Sequence, residues 1–145
     1  MDVRKVMTPN PACCTPTTSL RDVARLMAEN DCGEIPVVDD EVQRHPIGVV
    51  TDRDIVLRTL AVGRDPTACS AGDAMTTPAV TTRPDTTLED CRELMEAHQI
   101  RRVPVVDEEG RLCGIVAQAD IAQRSSKREV GELVKEVSQP GPTAH

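Results

Sequence analysis

The sequence predicts an α+β fold in which two pseudo-symmetric β-α-β-β-α repeats pack as one module. Three observations carry the prediction. The chain matches itself when displaced by 68 positions, so that Met7-Thr8 falls on Met75-Thr76, Leu26-Met27 on Leu94-Met95, and Pro36-Val37-Val38-Asp39 on Pro104-Val105-Val106-Asp107. The displacement changes once, to 66, near Val42–Pro46; Gly48-Val49-Val50 then falls on Gly114-Ile115-Val116, and Asp54-Ile55 on Asp120-Ile121. Within each copy, helical and strand-like apolar spacing follow one another in the same order.

Each copy opens with a short expected strand, near Ala12–Thr15 and Ala79–Thr82. A helix follows. Ser19-Leu20-Arg21-Asp22 and Thr87-Leu88-Glu89-Asp90 are starts of the capping-box kind, and Leu20, Val23, Met27 and Leu88, Cys91, Met95 recur at helical spacing. Asn30 and His98 fall near the helix ends, and His98 reads as an exposed helix-end residue. Two strands come next, joined by polar turns: Ile35–Val38 with Ile47–Thr51, and Val103–Val106 with Leu112–Val116. Helices near Asp52–Ala61 and Gln118–Arg124 close the copies. The repeats are bounded at 3–62 and 71–125, with a linker at 63–70 broken by Gly63, Pro66 and Ser70. Val130, Leu133, Val134 and Val137 predict a C-terminal helix over 126–138, and Pro140 and Pro142 a loose tail over 139–145. A copy this small buries little surface alone, so the two are expected to share one core.

Composition narrows the function. No run approaches the ~18 apolar residues of a membrane helix, and Met1–Lys5 lacks the apolar core of a signal peptide. A cytoplasmic, membrane-free protein is expected. The net charge of −7 argues against a nucleic acid polymer as partner, because such binding rests on basic surface. With no Phe, Tyr or Trp there is no aromatic platform for a base, and any purine must sit between aliphatic side chains and backbone. The six cysteines form no C-x-x-C pair. Cys91 and Cys113 read as small buried hydrophobes; Cys13, Cys14 and the loop residue Cys69 keep open a redox or metal-responsive role. No nucleophile-plus-base pair, metal-ligand cluster or phosphate-cradling glycine loop marks an enzyme.

The repeated segments resemble the CBS (cystathionine-β-synthase-type) domain. The resemblance rests on Val6-Met7-Thr8, the helix start at Ser19-Leu20, Ile35-Pro36-Val37-Val38-Asp39, and Gly48-Val49-Val50-Thr51-Asp52-Arg53-Asp54-Ile55. The second set is Ala74-Met75-Thr76, Arg101-Arg102-Val103-Pro104-Val105-Val106-Asp107, and Gly114-Ile115-Val116-Ala117-Gln118-Ala119-Asp120-Ile121. The whole chain is similar to small stand-alone bacterial CBS-pair proteins of the hypoxic-response type, which links it to stress response. The resemblance implies two clefts related by pseudo-symmetry, a homodimer, and a regulatory adenosine ligand: AMP, ADP, ATP, S-adenosylmethionine or NAD.

The resemblance also implies site residues. Thr51-Asp52-Arg53-Asp54 follows a strand and opens a helix, where phosphate is favoured. Asp54 is expected on the ribose hydroxyls, Thr51 beside it, and Arg53 within reach of phosphate. The same four residues also read as a plain capping box. The second copy keeps Asp120 but has Ala117 in place of the hydroxyl, so the cleft at Thr51 and Asp54 is expected to be the better ribose site. Arg101 and Arg102 are expected on phosphate, a role the guanidinium fork suits; alternatively they are a solvated strand edge. Their counterparts Gly33-Glu34 offer no such attraction. Thr81 falls at a hydroxyl position bordering the nucleotide, which Cys13 does not reproduce, and the purine is expected near Ile35-Pro36 or Val103-Pro104. Three functions stay open: a ligand sensor acting through an effector protein or its own dimer, a ligand-free CBS-fold dimer serving as a protein scaffold, and the cysteine-based protein above.

Overall fold

A computed structural model of the chain describes residues 1–124. The expected helix at 126–138 and tail at 139–145 lie outside the described residues. The two long helices, α1 (Leu20–Asn30) and α4 (Leu88–His98), start and stop for matching reasons. Ser19 Oγ and Thr87 Oγ1 each accept a hydrogen bond at 3.1 Å, from Asp22 N and Asp90 N, which satisfies an amide left open in the first turn. Asp31 (φ 48°) and Gln99 (φ 53°) turn left-handed and end the helices. Leu20, Val23 and Met27 are buried on α1, and Cys91 and Met95 on α4.

Each helix leads into a two-stranded antiparallel ribbon. Strands β2 (Glu34–Val38) and β3 (Pro46–Thr51) pair with Ile35 opposite Val50; β4 (Arg102–Val106) and β5 (Leu112–Ala117) pair with Val103 opposite Val116. The register shifts at equivalent points, between Val37 and Val38 and between Val105 and Val106. Helix α2 (Asp52–Arg58) follows β3 and helix α5 (118–124) follows β5. α2 is shorter than expected: Thr59 turns its hydroxyl onto the Ile55 carbonyl and the chain tightens into a 3-10 turn at Leu60–Val62.

Two expectations need correction. The opening strands shrink to single parallel bridges, Cys14 to Val37 and Thr82 to Val105. Cys14 N donates to Pro36 O at 3.0 Å and Val38 N to Cys14 O at 2.8 Å, and Thr82 repeats the pattern with Pro104 and Val106. Pro11 and Pro16 flank the first bridge, Pro78 and Pro84 the second, and proline has no N–H with which to extend a ladder.

The single shared core is instead two clusters, each completed by chain from the other copy. Val3, Val6 and Met7 pack with Cys91, Met95, Val103 and Val116. Cys69, Ala71, Ala74 and Met75 pack with Leu20, Val23, Ile35 and Val50. The backbone records the same exchange. β1 (Thr8–Pro9) pairs with β5, and the residue after the short helix α3 (Ala71–Ala74) plus one, Thr76, bridges to Val49 in β3. Glycine is required at Gly48, where a Cβ would lie 2.6 Å from the backbone oxygen Thr76 O; at Gly114 a Cβ would lie 2.6 Å from Met7 Sδ, which can move aside. The exchange ties the copies into one body and leaves a groove between them.

Candidate functional site

The groove has a volume of about 840 Å³ and lies where α2 and α5 begin. Its walls are the same positions taken from each copy. Gly33, Glu34, Thr51, Asp52 and Arg53 face it from the first repeat; their counterparts Arg101, Arg102, Ala117, Gln118 and Ala119 face it from the second. It therefore straddles the pseudo-twofold. Gln99, Ile100 and Ala122 complete it. A smaller slot of about 110 Å³ adjoins, lined by Thr8, Pro11, Ala12, Asn30, Cys32, Ile35, Pro36 and Ile115, and shares Glu34 and Arg102 with the groove. Ala12, Ile35, Ile115 and the two prolines give it an aliphatic side, and Thr8, Asn30, Glu34 and Arg102 a polar one.

Four of the residues expected to bind ligand thus share one space: Thr51, Arg53, Arg101 and Arg102. Ile35 lines the slot. Asp54 and Asp120 lie in the first turn of α2 and α5 and line neither space. Asp54 Oδ2 accepts from Thr51 N at 3.0 Å while Thr51 Oγ1 accepts from Asp54 N at 3.0 Å, a complete capping box. Asp54 Oδ1 accepts from the Thr76 hydroxyl at 3.2 Å and lies 3.9 Å from Arg58 Nε. Asp120 Oδ2 accepts from Ala117 N at 3.0 Å, and with no hydroxyl at Ala117 the reciprocal bond is missing. Val103 is wholly buried in the second core, so only its backbone is offered. Thr81 is half-buried beside the Thr82 bridge and touches neither space.

Glu34 was expected only to offer phosphate no attraction, and the structure places it in the groove wall. It is 9 % exposed, and its Oε2 has no hydrogen-bond partner. Burial pushes its carboxyl up to about 7; the Arg102 guanidinium opposes that shift and the Asp54 carboxylate adds to it. The displacement of 68 sets Glu34 against Arg102, but nothing in the sequence marks its carboxyl as buried. Arg101 is exposed and Arg102 half-buried. The first-repeat wall carries Glu34 and Asp52 with the exposed Arg53, and the second-repeat wall carries Arg101 and Arg102 with no acidic side chain.

The cysteines fall elsewhere. Cys14 and Cys69 are buried and Cys13 is half-buried. Burial, reinforced by Cys13, pushes the Cys14 thiol up to about 12, which keeps it from the thiolate form that redox and metal chemistry need. Among the described residues no group of three or more His, Cys, Asp or Glu is placed to hold a metal ion, and no helix is long and apolar enough to cross a membrane.

Two ribbon-and-helix repeats that exchange their leading segments around a pseudo-symmetric groove define a CBS pair. The chain belongs to the CBS domain family, whose model matches it twice, at residues 3–60 and 71–127. It is similar to the CBS domain-containing protein YhcV of Bacillus subtilis, with 39 % identity over 94 % of each chain. It also resembles a crystal structure of Hypoxic Response Protein I with two coordinated zinc ions: 36 % identity, TM-score 0.75, covering 85 % of this chain and 98 % of that one. A crystal structure of CBSX2 in complex with AMP matches with 29 % identity and TM-score 0.77, covering 88 % and 98 %.

Proposed function

We propose that the chain is a regulatory module, not an enzyme, that binds an adenosine-containing ligand between its CBS repeats. AMP, ADP, ATP, S-adenosylmethionine and NAD are the candidates. The observation that carries the reading is the groove itself, built from matched positions of both copies, with three arginines beside a slot with an aliphatic side. The slot suits a base in a chain without aromatic residues. Arg53, Arg101 and Arg102 suit phosphate or carboxylate groups. Asp54 takes the ribose by exchanging its bonds to Thr76 and Arg58 for the sugar hydroxyls. The AMP complex of CBSX2, a related CBS pair, supports the adenosine class. A ligand held by both copies shifts their relative packing only by its differential affinity for two arrangements, so the signal leaves through a dimer contact or an effector protein.

Val56, Leu57, Leu60 and Val62 are 46 to 64 % exposed on α2 and the turn after it. A run of this kind fits a second copy, and we assign the homodimer contact to it, in a protein of the cytoplasm. The same face favours the second reading, in which the dimer is a ligand-free scaffold for another protein.

Calorimetric titration with AMP, ATP and S-adenosylmethionine separates the two. At least one should bind the wild-type chain, and Asp54→Ala should weaken that binding tenfold or more, about 1.4 kcal/mol. Unchanged affinity would remove Asp54 from the site. No heat and no melting shift with any of the three would leave the scaffold.

A further inference from the structure

We propose that Glu34 is a specificity-determining residue of the groove, selecting an adenosine compound whose tail carries a positive charge and a carboxylate over one whose tail is a polyphosphate. The inference rests on the reading that the groove binds an adenosine ligand, and it names which class of ligand the groove prefers.

The first ground is the state of the side chain. Glu34 is only 9 % exposed, and one carboxylate oxygen is left without a partner. A buried acceptor without a donor is destabilising, and a ligand that brings an N–H or a positive charge to it relieves that state. Arg102, its counterpart in the second repeat, does not do so: no ion pair between the two is found among the described residues.

The second ground is the division of charge. The copies diverged at these wall positions, so that Gly33, Glu34 and Asp52 stand opposite Arg101, Arg102 and Gln118. With Arg53 counted, the first-repeat wall is still net acidic and the second, with Arg101 and Arg102, is basic, and such a groove is complementary to a dipolar tail. Its carboxylate lies toward the arginines and its positive group toward Glu34. A polyphosphate satisfies the basic wall but brings its charge against the acidic one, and like charge set against a desolvated carboxylate is disfavoured.

The third ground is position. Glu34 and Arg102 line both the slot and the groove. A ligand with its base in the slot must run its tail past both residues, so the pair meets the part of the ligand in which adenosine compounds differ.

The test is calorimetric titration of the full chain and of Glu34→Gln with S-adenosylmethionine, AMP and ATP. The wild type is expected to bind S-adenosylmethionine at least tenfold more tightly than ATP. Glu34→Gln, close in shape and uncharged, should cut that ratio at least tenfold. Glu34→Arg, which copies the charge of Arg102, should reverse it. A wild-type preference for ATP, or a ratio that neither variant moves, overturns the inference while leaving the groove as an adenosine site. Absence of binding by all three compounds overturns the groove reading and the inference with it.

Discussion

Replacing Glu34 with glutamine should make the protein more stable, and only above a defined pH. The carboxyl rises from an ordinary 4.5 to about 7 because it is buried in the groove wall. A folded state that holds the proton more tightly than the unfolded chain is stabilised by it. That contribution is full below 4.5 and is lost as pH rises through about 7. Above that, the ionised, poorly partnered carboxylate costs the fold about 3 kcal/mol, an order-of-magnitude figure from the displacement of the carboxyl. Glutamine keeps the shape and does not titrate. The two proteins should therefore have similar stability near pH 5, and the Gln variant should lead by about 3 kcal/mol near pH 8.5. Urea unfolding followed by far-ultraviolet circular dichroism reads this directly in a chain without aromatic residues. A stability difference that does not change with pH, or a Gln variant that is less stable at the higher pH, would show that Glu34 is solvated or paired and would refute the reasoning.

Further outcomes follow from the same geometry. Thr51→Ala removes half of a complete capping box and should cost about 1 kcal/mol, whereas Ala117→Thr can complete the unfinished box on α5 and should add several tenths, both read by urea unfolding. Gly48→Ala sets a Cβ against a backbone carbonyl and should destabilise by about 2 kcal/mol or more, while Gly114→Ala meets first the movable end of Met7 and should cost less; equal losses would contradict the exchanged-segment packing. Leu57→Glu and Leu60→Glu should convert a dimer to monomer in sedimentation while leaving the circular dichroism spectrum unchanged.

Most of the architecture is legible in the chain because the displacement between copies is a statement about structure. Helices α1 and α4 and ribbons β2–β3 and β4–β5 occupy equivalent positions at 68, or at 66 beyond the turn, down to the bulges at Val37–Val38 and Val105–Val106. The exchange of leading segments is not legible. Thr8 has the same periodicity and neighbours whether it pairs with β3 or with β5, and that choice is made by long-range packing. Gly48 and Gly114, inside strands, signal that some backbone comes close there, but not which one. The candidate site divides in the same way. Thr51, Arg53, Arg101 and Arg102 could be placed together because they are matched repeat positions beside strand ends. Thr81 and Val103 stand off from both spaces because one-residue bridges and core packing set their orientation. Glu34 was invisible as a buried group because long-range packing buries β2 along its whole length, its first residue included.

The central claim is that the groove on the pseudo-twofold, and no other surface, receives an adenosine ligand. Methyl-resolved nuclear magnetic resonance tests it in one titration, since alanine, isoleucine and valine methyls supply probes throughout a chain rich in them. Addition of AMP or S-adenosylmethionine should move the signals of Ile100, Ala117, Ala119 and Ala122 and of Ile35 in the slot, leaving Val56, Val62 and the core methyl of Val23 in place. Shifts confined to Val56 and Val62, or none at saturating ligand, would contradict it.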